Sequence, residues 1–300
     1  MDMTQNKCCR HGASLRRRRR RRRKMLRFII FSYSIIAVAV FVAVGSRMIR
    51  SGDGRTNRYD VEAGNNTYDN AVIENSKISE NNKIQNEQSV LDDIMNSTQY
   101  PKQLQELALK NEEALEFVYD YPTEHVKEHT IDLTEEASMD SVPLFVQWDK
   151  RWGYEKYSGN FFAASGCGPT TLSMVVVYLT HNREASPIAV AKYSKESGYS
   201  VDGSGSSWTL ISEGCRHYGV KAKTVALDES RMKAELDAGH PIVINVGPGD
   251  FTDTGHFMVI TGYDDEGFSI NDPNSIEKSG KRWLFKNISS QIRAVWSMYV

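Results

Sequence analysis

A stretch without a single charged side chain, residues 28–46, directly follows a basic region that contains an uninterrupted arginine run, residues 16–23. As a helix with a rise of about 1.5 Å per residue, this stretch would be roughly 28 Å long, close to the hydrocarbon thickness of a bilayer. The stretch therefore predicts a transmembrane anchor. Because positive charge stays on the cytoplasmic side, residues 1–27 are predicted to be a basic cytoplasmic segment, and residues 51–300 are expected outside.

The apolar segment has two alternative fates. It is longer than the apolar region of about 7–15 residues that is typical of a signal peptide, which favours a retained single-pass anchor. Ala43 and Gly45 nevertheless supply small residues for a cleavage site, so removal of the segment before Ser46 is the alternative. Cys8 and Cys9 precede the segment and are expected to be reduced cytoplasmic thiols, which cannot pair with the two cysteines on the other side.

Charge is distributed unevenly along the chain. Residues 1–50 hold 14 of the 37 basic residues and one acid, whereas the remaining 250 residues hold 23 bases and 37 acids. A body with this excess of acids is a poor partner for phosphate groups, so no nucleic-acid partner is expected. Hydrophobic residues make up 40% of the chain, which is enough for a folded core, and four cysteines are too few for a disulfide-stapled miniprotein.

Composition also divides the chain that follows the anchor. Residues 47–100 are rich in Asn, Ser, Asp and Glu, which predicts a disordered spacer. Residues 101–140 are predicted to be a helical prelude and connector without chemistry of their own, in which Tyr121-Pro122 ends the helical run. Apolar residues recur there at helical spacings, at Leu104, Leu107, Leu115 and Val118.

The remaining residues, 141–300, are predicted to form one folded domain with helices first and strands second. Apolar residues at i, i+3, i+4 and i+7 favour a helix over a strand directly after Pro169, at Leu172, Val175, Val176 and Leu179. Further helices are expected at 187–198, 208–219 and 229–238. Strands are expected at 142–149, 221–227, 241–246, 255–263 and 267–272. Helices followed by an antiparallel sheet indicate an α+β domain.

Cys167 lies between two glycines at the start of the first of these helices. The positive end of a helix dipole lowers the pKa of a thiol, and the thiolate is the reactive form. Gly166 and Gly168 allow a tight turn and leave room for a substrate. Cys215, by contrast, lies on an apolar helix face, which is typical of a buried structural cysteine. Cys167 is therefore the candidate nucleophile, and both thiols are expected to be free.

A thiol nucleophile of this kind needs a base and a group that orients the base. His256 opens a predicted strand and is the candidate base. Asn271 and Asp272 end the next strand, and either could orient the imidazole, although a simple turn would also explain both. Gln147 is the candidate oxyanion donor together with the backbone N–H of Cys167, and an ordinary surface amide is the alternative.

The turn between these two strands selects between the neighbouring candidates Asn271 and Asp272. Gly267 suits the left-handed position of a three-residue loop, which would pair Asp264 with Phe268. In that register Asp272 lies opposite Ile260, on the face of His256, because side chains alternate along a strand. A two-residue loop would place Asn271 there instead.

The segments VPLFVQWDKRWG, SGCGPTTLSMV and GHFMVITGYDDEGFSINDPNS resemble the family thirty-nine-like cysteine peptidases of the papain clan. These are bacterial domains related to the leader peptidases of bacteriocin exporters, and the prelude is similar to membrane-anchored members in Gram-positive bacteria. The resemblance implies a papain-like fold, with the nucleophile at the N-terminus of a helix packed on an antiparallel sheet. It also implies Cys167 as nucleophile, His256 as base, Asp272 as orienting acid and Gln147 as oxyanion donor, although the clan usually has a shorter gap between the glutamine and the cysteine.

The leading functional hypothesis is an extracytoplasmic, membrane-anchored cysteine peptidase acting on a peptide or protein substrate through a Cys-His-Asp triad. A catalytically silent surface binding module with the same fold is one alternative. A cell-wall endopeptidase or amidase is another, although an acidic domain is poorly suited to anionic wall polymers. The sequence contains no spacing typical of metal ligands and no phosphate-binding glycine loop, so no metal or cofactor is expected.

We expect protease added to intact cells or protoplasts to remove the C-terminal domain, because the basic block before residue 28 outweighs Arg47 and Arg50 behind the span. Immunoblotting against the domain, before and after lysis, measures this. A domain that stays protected until lysis contradicts the orientation. A mature N-terminus at Ser46 would keep the orientation but identify the segment as a cleaved signal peptide.

Overall fold

The structure is a computed structural model that describes residues 85–300. The predicted basic segment, the predicted anchor, the first part of the spacer, and Cys8 and Cys9 lie outside the described residues. Among the helices of residues 85–300, none is both long and apolar enough to span a membrane.

Several helices precede the first strand of the described chain, and the strands of the large sheet all lie after residue 220. The helices are α1 (85–96), α2 (Lys102–Lys110), α3 (Leu115–Tyr119), α4 (Tyr121–Glu124), α5 (Phe162–Ser165), α6 (Cys167–Thr180), α7 (Pro187–Glu196), α8 (Thr209–Ser212), α9 (Glu229–Asp237), α10 (Ile276–Ser279) and α11 (Phe285–Ile288). Turns of 3-10 helix occupy Glu112–Ala114, Glu136–Ser138, Gly214–Tyr218 and Ser289–Gln291.

The strands form one large sheet and two small hairpins. They are β1 (Lys156–Tyr157), β2 (Asn160–Phe161), β3 (Ser200–Val201), β4 (Gly205–Ser206), β5 (Lys221–Thr224), β6 (Ile242–Val246), β7 (His256–Asp264), β8 (Gly267–Asn271), β9 (Arg282–Trp283) and β10 (Ile292–Tyr299). The large sheet has the order β5-β10-β6-β7-β8-β9, and every neighbouring pair is antiparallel. The predicted α+β architecture is confirmed.

The sheet separates two cores because side chains alternate between its faces. Helix α6 packs on one face, where Val175 and Val176 share a cluster with Phe257 and Val259 of β7. The other face belongs to a second cluster, which includes Met258 of the same strand. Each such buried aliphatic or aromatic side chain contributes about 1.5–3 kcal/mol to folding. This packing fixes the start of α6 relative to the start of β7, which is where the candidate nucleophile and base lie.

The prelude is folded over a longer range than the composition predicts. Residues 85–96, which fall in the predicted spacer, are helical, and Ile94 is fully buried in a third core cluster with Leu104 and Phe117. Tyr121-Pro122 does not end the helical region, since α4 (Tyr121–Glu124) contains both residues. Proline is compatible with the first turn of a helix, where its missing N–H would have no partner in any case.

Two other predictions differ from the structure, and one strand was not predicted at all. Residues 142–149 form no strand, because Asn271 and the backbone of Pro273 hold this segment instead of a neighbouring strand. The helix predicted at 208–219 is broken at Glu213, where φ is −128°, into α8 and a 3-10 turn. Strand β10 was not predicted, although it lies between β5 and β6 within the sheet.

The predicted three-residue loop after β7 is wrong, yet Asp272 keeps the predicted face. Asp264 pairs with Gly267, so the loop has two residues, which shifts the register by one. A bulge at Thr261, between the pairs Gly262–Ser269 and Ile260–Ile270, shifts it by one more. The two shifts together restore the alternation, because a displacement by two residues leaves every side chain on its original face.

Gly267 also has a different role from the predicted one. Its φ is +133°, outside the left-handed helical region, and a Cβ at this position would lie 2.7 Å from the carbonyl carbon and oxygen of Trp283 in β9. The glycine is therefore required by the close approach of β9 to β8 and by its backbone conformation.

We expect Gly267→Ala to lower the free energy of unfolding by about 2 kcal/mol or more, because the new methyl group meets backbone atoms and the φ value is unfavourable for alanine. Gly262→Ala is the matched control, since a Cβ there has no neighbour within 4 Å, and it should change stability by less than about 0.5 kcal/mol. Urea denaturation of both variants measures the difference. Equal stabilities would contradict the close approach of the two strands.

Candidate active site

Cys167 is the first residue of α6 and is half-buried. Helix α5 ends directly before it, with the N–H of Gly166 bonded to the carbonyl of Phe162 at 2.7 Å. The flanking glycines are required by packing: a Cβ on Gly166 would lie 2.6 Å from the Phe162 ring, and one on Gly168 would lie 2.6 Å from the Ser206 hydroxyl. Ser206 of strand β4 therefore occupies the space that a side chain at residue 168 would need.

The surroundings of the Cys167 thiol favour its thiolate. Burial alone would raise the pKa of the thiol, but a hydrogen bond and positive charge from His256 outweigh it. The backbone N–H groups of Phe257 and Gly168 also interact with the sulfur, so the pKa of Cys167 is lower than the ordinary thiol value. No sequence pattern indicates the two backbone donors, because every residue type except proline supplies a backbone N–H group.

His256 and Asp272 form a buried pair. The Nε2 atom of His256 lies 2.6 Å from Oδ1 of Asp272, and both residues are buried, Asp272 completely. Burial alone would lower the pKa of the imidazole, but the charge and the hydrogen bond of Asp272, with a contribution from Cys167, raise it above the ordinary histidine value. Because Nε2 is engaged by Asp272, Nδ1 is the ring nitrogen left for the thiol.

The Asn271 side chain contacts the 142–143 backbone and not the imidazole of His256. Its amide Nδ2 donates to the carbonyls of Val142 and Pro143, each at 3.1 Å. Of the two neighbouring candidates, Asp272 is thus the one that contacts His256, while Asn271 fastens the segment that leads to Gln147. The strand register accounts for this difference, because Asn271 pairs with Val259, whose side chain lies in the α6 core.

Gln147 is buried rather than a surface amide. Its backbone N–H donates to the carbonyl of Pro273 at 2.7 Å, and its Nε2 donates to the carbonyl of Ala163 at 2.7 Å. An amide nitrogen carries two hydrogens, so one remains for another acceptor after the bond to Ala163. Gln147 is therefore tied both to the loop that follows Asp272 and to α5, which leads to Cys167.

Cys215 has the opposite electrostatic setting from Cys167. It is fully buried, forms no disulfide, and burial raises the pKa of its thiol to about 11. Cys167 likewise forms no disulfide in the structure. Within residues 85–300, no group of three or more His, Cys, Asp or Glu side chains is arranged to hold a metal ion.

The fold and the site together define a papain-like α+β protein with a thiol at the start of a buried helix and a histidine at the start of a facing strand. The model of the Peptidase_C39 like family matches residues 139–300, which is more than half of the chain. The protein belongs to this family, and the resemblance seen in its sequence is confirmed. No curated protein matches the chain.

Solved structures that are similar to this chain include two bacterial peptidase structures. One is described as the peptidase domain of Streptococcus ComA, a bi-functional ABC transporter involved in a quorum-sensing pathway; it is 18% identical, with a TM-score of 0.39, over 53% of this chain and 96% of that chain. The other is a putative C39-like peptidase from Bacillus anthracis, which is 17% identical with a TM-score of 0.34, over 53% of this chain and 95% of that chain.

We expect Cys167 to be alkylated by iodoacetamide far faster than Cys215 below pH 7.5, because the pKa of Cys167 is lowered while that of Cys215 is raised to about 11. Peptide mass spectrometry after timed quenching gives both rates in one sample, so Cys215 serves as the internal control. Equal rates in the folded protein, or a Cys167–Cys215 disulfide in protein isolated without reductant, would contradict this assignment.

Proposed function

We propose that this protein is a cysteine peptidase in which Cys167 is the nucleophile, His256 the general acid and base, and Asp272 the group that orients and charges the imidazole. The observation that carries the proposal is the buried 2.6 Å hydrogen bond between His256 and Asp272 beside a thiol whose pKa is lowered. Membership of the Peptidase_C39 like family supports the same class of activity.

In the acylation step, the thiolate of Cys167 attacks the carbonyl carbon of the scissile peptide bond and forms a C–S bond, while the carbonyl electron pair moves to the oxygen. The backbone N–H of Cys167, which lies in the first turn of α6 and needs no intrahelical partner, donates to this oxyanion. The second hydrogen of the Gln147 Nε2 atom is the other proposed donor. The C–N bond then breaks as the imidazolium of His256 transfers its Nδ1 proton to the leaving amine.

In the deacylation step, neutral His256 removes a proton from a water molecule, whose oxygen attacks the thioester carbon. The C–S bond breaks, the carboxylic acid product leaves, and the thiolate and imidazolium are restored. Asp272 stabilises the imidazolium in both steps without taking up its proton. This cycle requires neither a metal nor a cofactor.

We also propose that the peptidase acts outside the cytoplasm while residues 28–46 hold it in the membrane and residues 1–27 remain in the cytoplasm. The support is the charge-free segment behind the arginine run. The substrate is then a peptide or protein that reaches the outer face of the membrane, and an excess of acids over bases in residues 51–300 disfavours strongly anionic substrates.

Incubation of the purified full-length protein with a pool of peptides of known sequence tests this function, with new peptide ends identified by mass spectrometry. The proposal expects new ends with the wild-type protein and none with Cys167→Ala. Absence of new ends in the wild type, although iodoacetamide still modifies Cys167 rapidly, would favour a binding module that has kept the fold and lost turnover.

In the same assay, Asp272→Ala should lower kcat/KM at least about 100-fold, because the imidazolium loses its buried counter-charge. Asn271→Ala is the adjacent control: it removes two bonds to the 142–143 carbonyls and should cost stability with less than about fivefold loss of kcat/KM. The reverse order of effects would assign the orienting role to Asn271.

The pH profile gives the same variants a second measurement. The rate should rise through the lowered pKa of Cys167 as the thiolate forms, and fall above the raised pKa of His256 as the imidazolium loses its proton. Asp272→Ala removes the cause of the raised histidine pKa, so its alkaline limb should move to lower pH.

A further inference from the structure

The prelude contacts the loop that carries Asp272. Glu113, in the 3-10 turn between α2 and α3, accepts hydrogen bonds on Oε2 from the backbone N–H groups of Ile276 at 2.7 Å and Glu277 at 3.0 Å. Its other oxygen accepts a bond from the Ser275 hydroxyl. Three donors at the start of α10 (Ile276–Ser279) therefore converge on one carboxylate from a segment more than 160 residues earlier in the chain.

The same short helix holds the backbone of Asp272. The Asp272 N–H donates to the Ser279 hydroxyl at 2.9 Å, and the Ser275 N–H donates to the Asp272 carbonyl at 3.1 Å. The Asn274 N–H donates to Asp272 Oδ1 at 2.8 Å, on the oxygen that also accepts from His256. Any movement of α10 would therefore move the carboxylate relative to the imidazole.

A second residue of the prelude fastens the middle of this loop. The amide Nδ2 of Asn111 donates to the carbonyl of Asn274 at 2.9 Å and to its side-chain oxygen at 3.1 Å. The indole of Trp148 donates to the same carbonyl at 3.2 Å. The Asn111 side chain also caps the turn that contains Glu113, because its Oδ1 accepts a bond from the Glu113 N–H at 3.1 Å.

Such external contacts matter because α10 is one turn long. A single helical turn has little stability of its own, since nucleation fixes several backbone dihedrals for each hydrogen bond formed. Its first N–H groups need acceptors, and a carboxylate is a stronger acceptor than a neutral oxygen. Without Glu113, the first N–H groups of α10 at Ile276 and Glu277 would lose their acceptor. The loop from Pro273 to Ser279 would then be held by the Ser275 and Ser279 hydroxyls and by bonds from Asn111, Gln147, Trp148 and Trp283.

We propose that Glu113 is a positioning residue of the active site: by capping α10 it holds the Asp272 carboxylate within hydrogen-bonding distance of His256. The inference rests on the proposed function, and it assigns a role to a residue outside residues 139–300, which the family model matches. The prelude, which the sequence presents as a structural helix without chemistry, is then part of what makes the thiol reactive.

The test measures the rate of iodoacetamide alkylation of Cys167 against pH in the full-length protein, which reports thiol ionisation and does not need a substrate. Glu113→Ala should raise the apparent pKa of Cys167 by about one unit, so that its alkylation rate well below that pKa falls about tenfold. The shift of the apparent Cys167 pKa in Asp272→Ala gives the maximum expected, because this variant lacks the carboxylate altogether. Glu113→Gln keeps one acceptor oxygen and should lie between Glu113→Ala and the wild type.

Glu112→Ala is the matched control, because it removes the same charge from the adjacent exposed residue and should leave the pH profile unchanged. Circular dichroism at each pH restricts the comparison to folded protein, and Glu113→Gln provides the measurement if Glu113→Ala unfolds.

A shift in Asp272→Ala with none in either Glu113 variant would overturn the positioning role and leave the triad intact. No shift in Asp272→Ala would overturn both. Equal shifts in the Glu112 and Glu113 variants would show that the loss of a nearby negative charge is the cause, and this result would also overturn the positioning role of Glu113.

Discussion

The hydrogen bond between His256 and Asp272 is the interaction on which the rest of this site depends. Asp272 is completely buried, and a buried carboxylate is tolerated only when a cation and hydrogen bonds compensate for its lost hydration. The imidazolium of His256 supplies that cation, and its own charge favours the thiolate of Cys167 in turn. The carboxylate of Asp272 therefore favours the charged imidazole, and the imidazolium favours the thiolate, so removal of Asp272 changes the ionisation of both His256 and Cys167.

The sequence predicted the elements that carry local signals. The start of α6 at Cys167, the strand that begins at His256 and the following strand β8 all carry local signals in apolar periodicity and turn residues, although β8 ends at Asn271, one residue before the predicted end. The predicted sheet face of Asp272 is correct, but the predicted register is not. The loop is one residue shorter than predicted, and the bulge at Thr261 shifts the register by one further residue. Alternation only depends on whether a register shift is even or odd, so two single-residue errors cancelled.

The features that the sequence did not predict are those set by distant contacts. Residues 142–149 look like a strand, but the side chain of Asn271 occupies the carbonyls that a neighbouring strand would use. Gly267 looks like a turn glycine, but the approach of β9 is what excludes a side chain there. Glu113 looks like one acid among many on an exposed helix, and only the fold brings three donors to it. No local pattern encodes such a partner.

Cys167, His256 and Asp272 lie on a helix, a strand and a loop, and these three settings differ in rigidity. Cys167 and His256 begin a long buried helix and a central strand, whose packing across the sheet keeps them fixed. Asp272 instead follows the end of β8, which has only the two-residue strand β9 beyond it, and such a loop at the margin of a sheet opens at a lower free-energy cost than the core. A charged pair needs both partners equally well fixed, because the electrostatic benefit falls quickly with distance while the desolvation cost remains. Contacts from outside the sheet, from Gln147 and from the prelude, supply the rigidity that this edge of the sheet lacks.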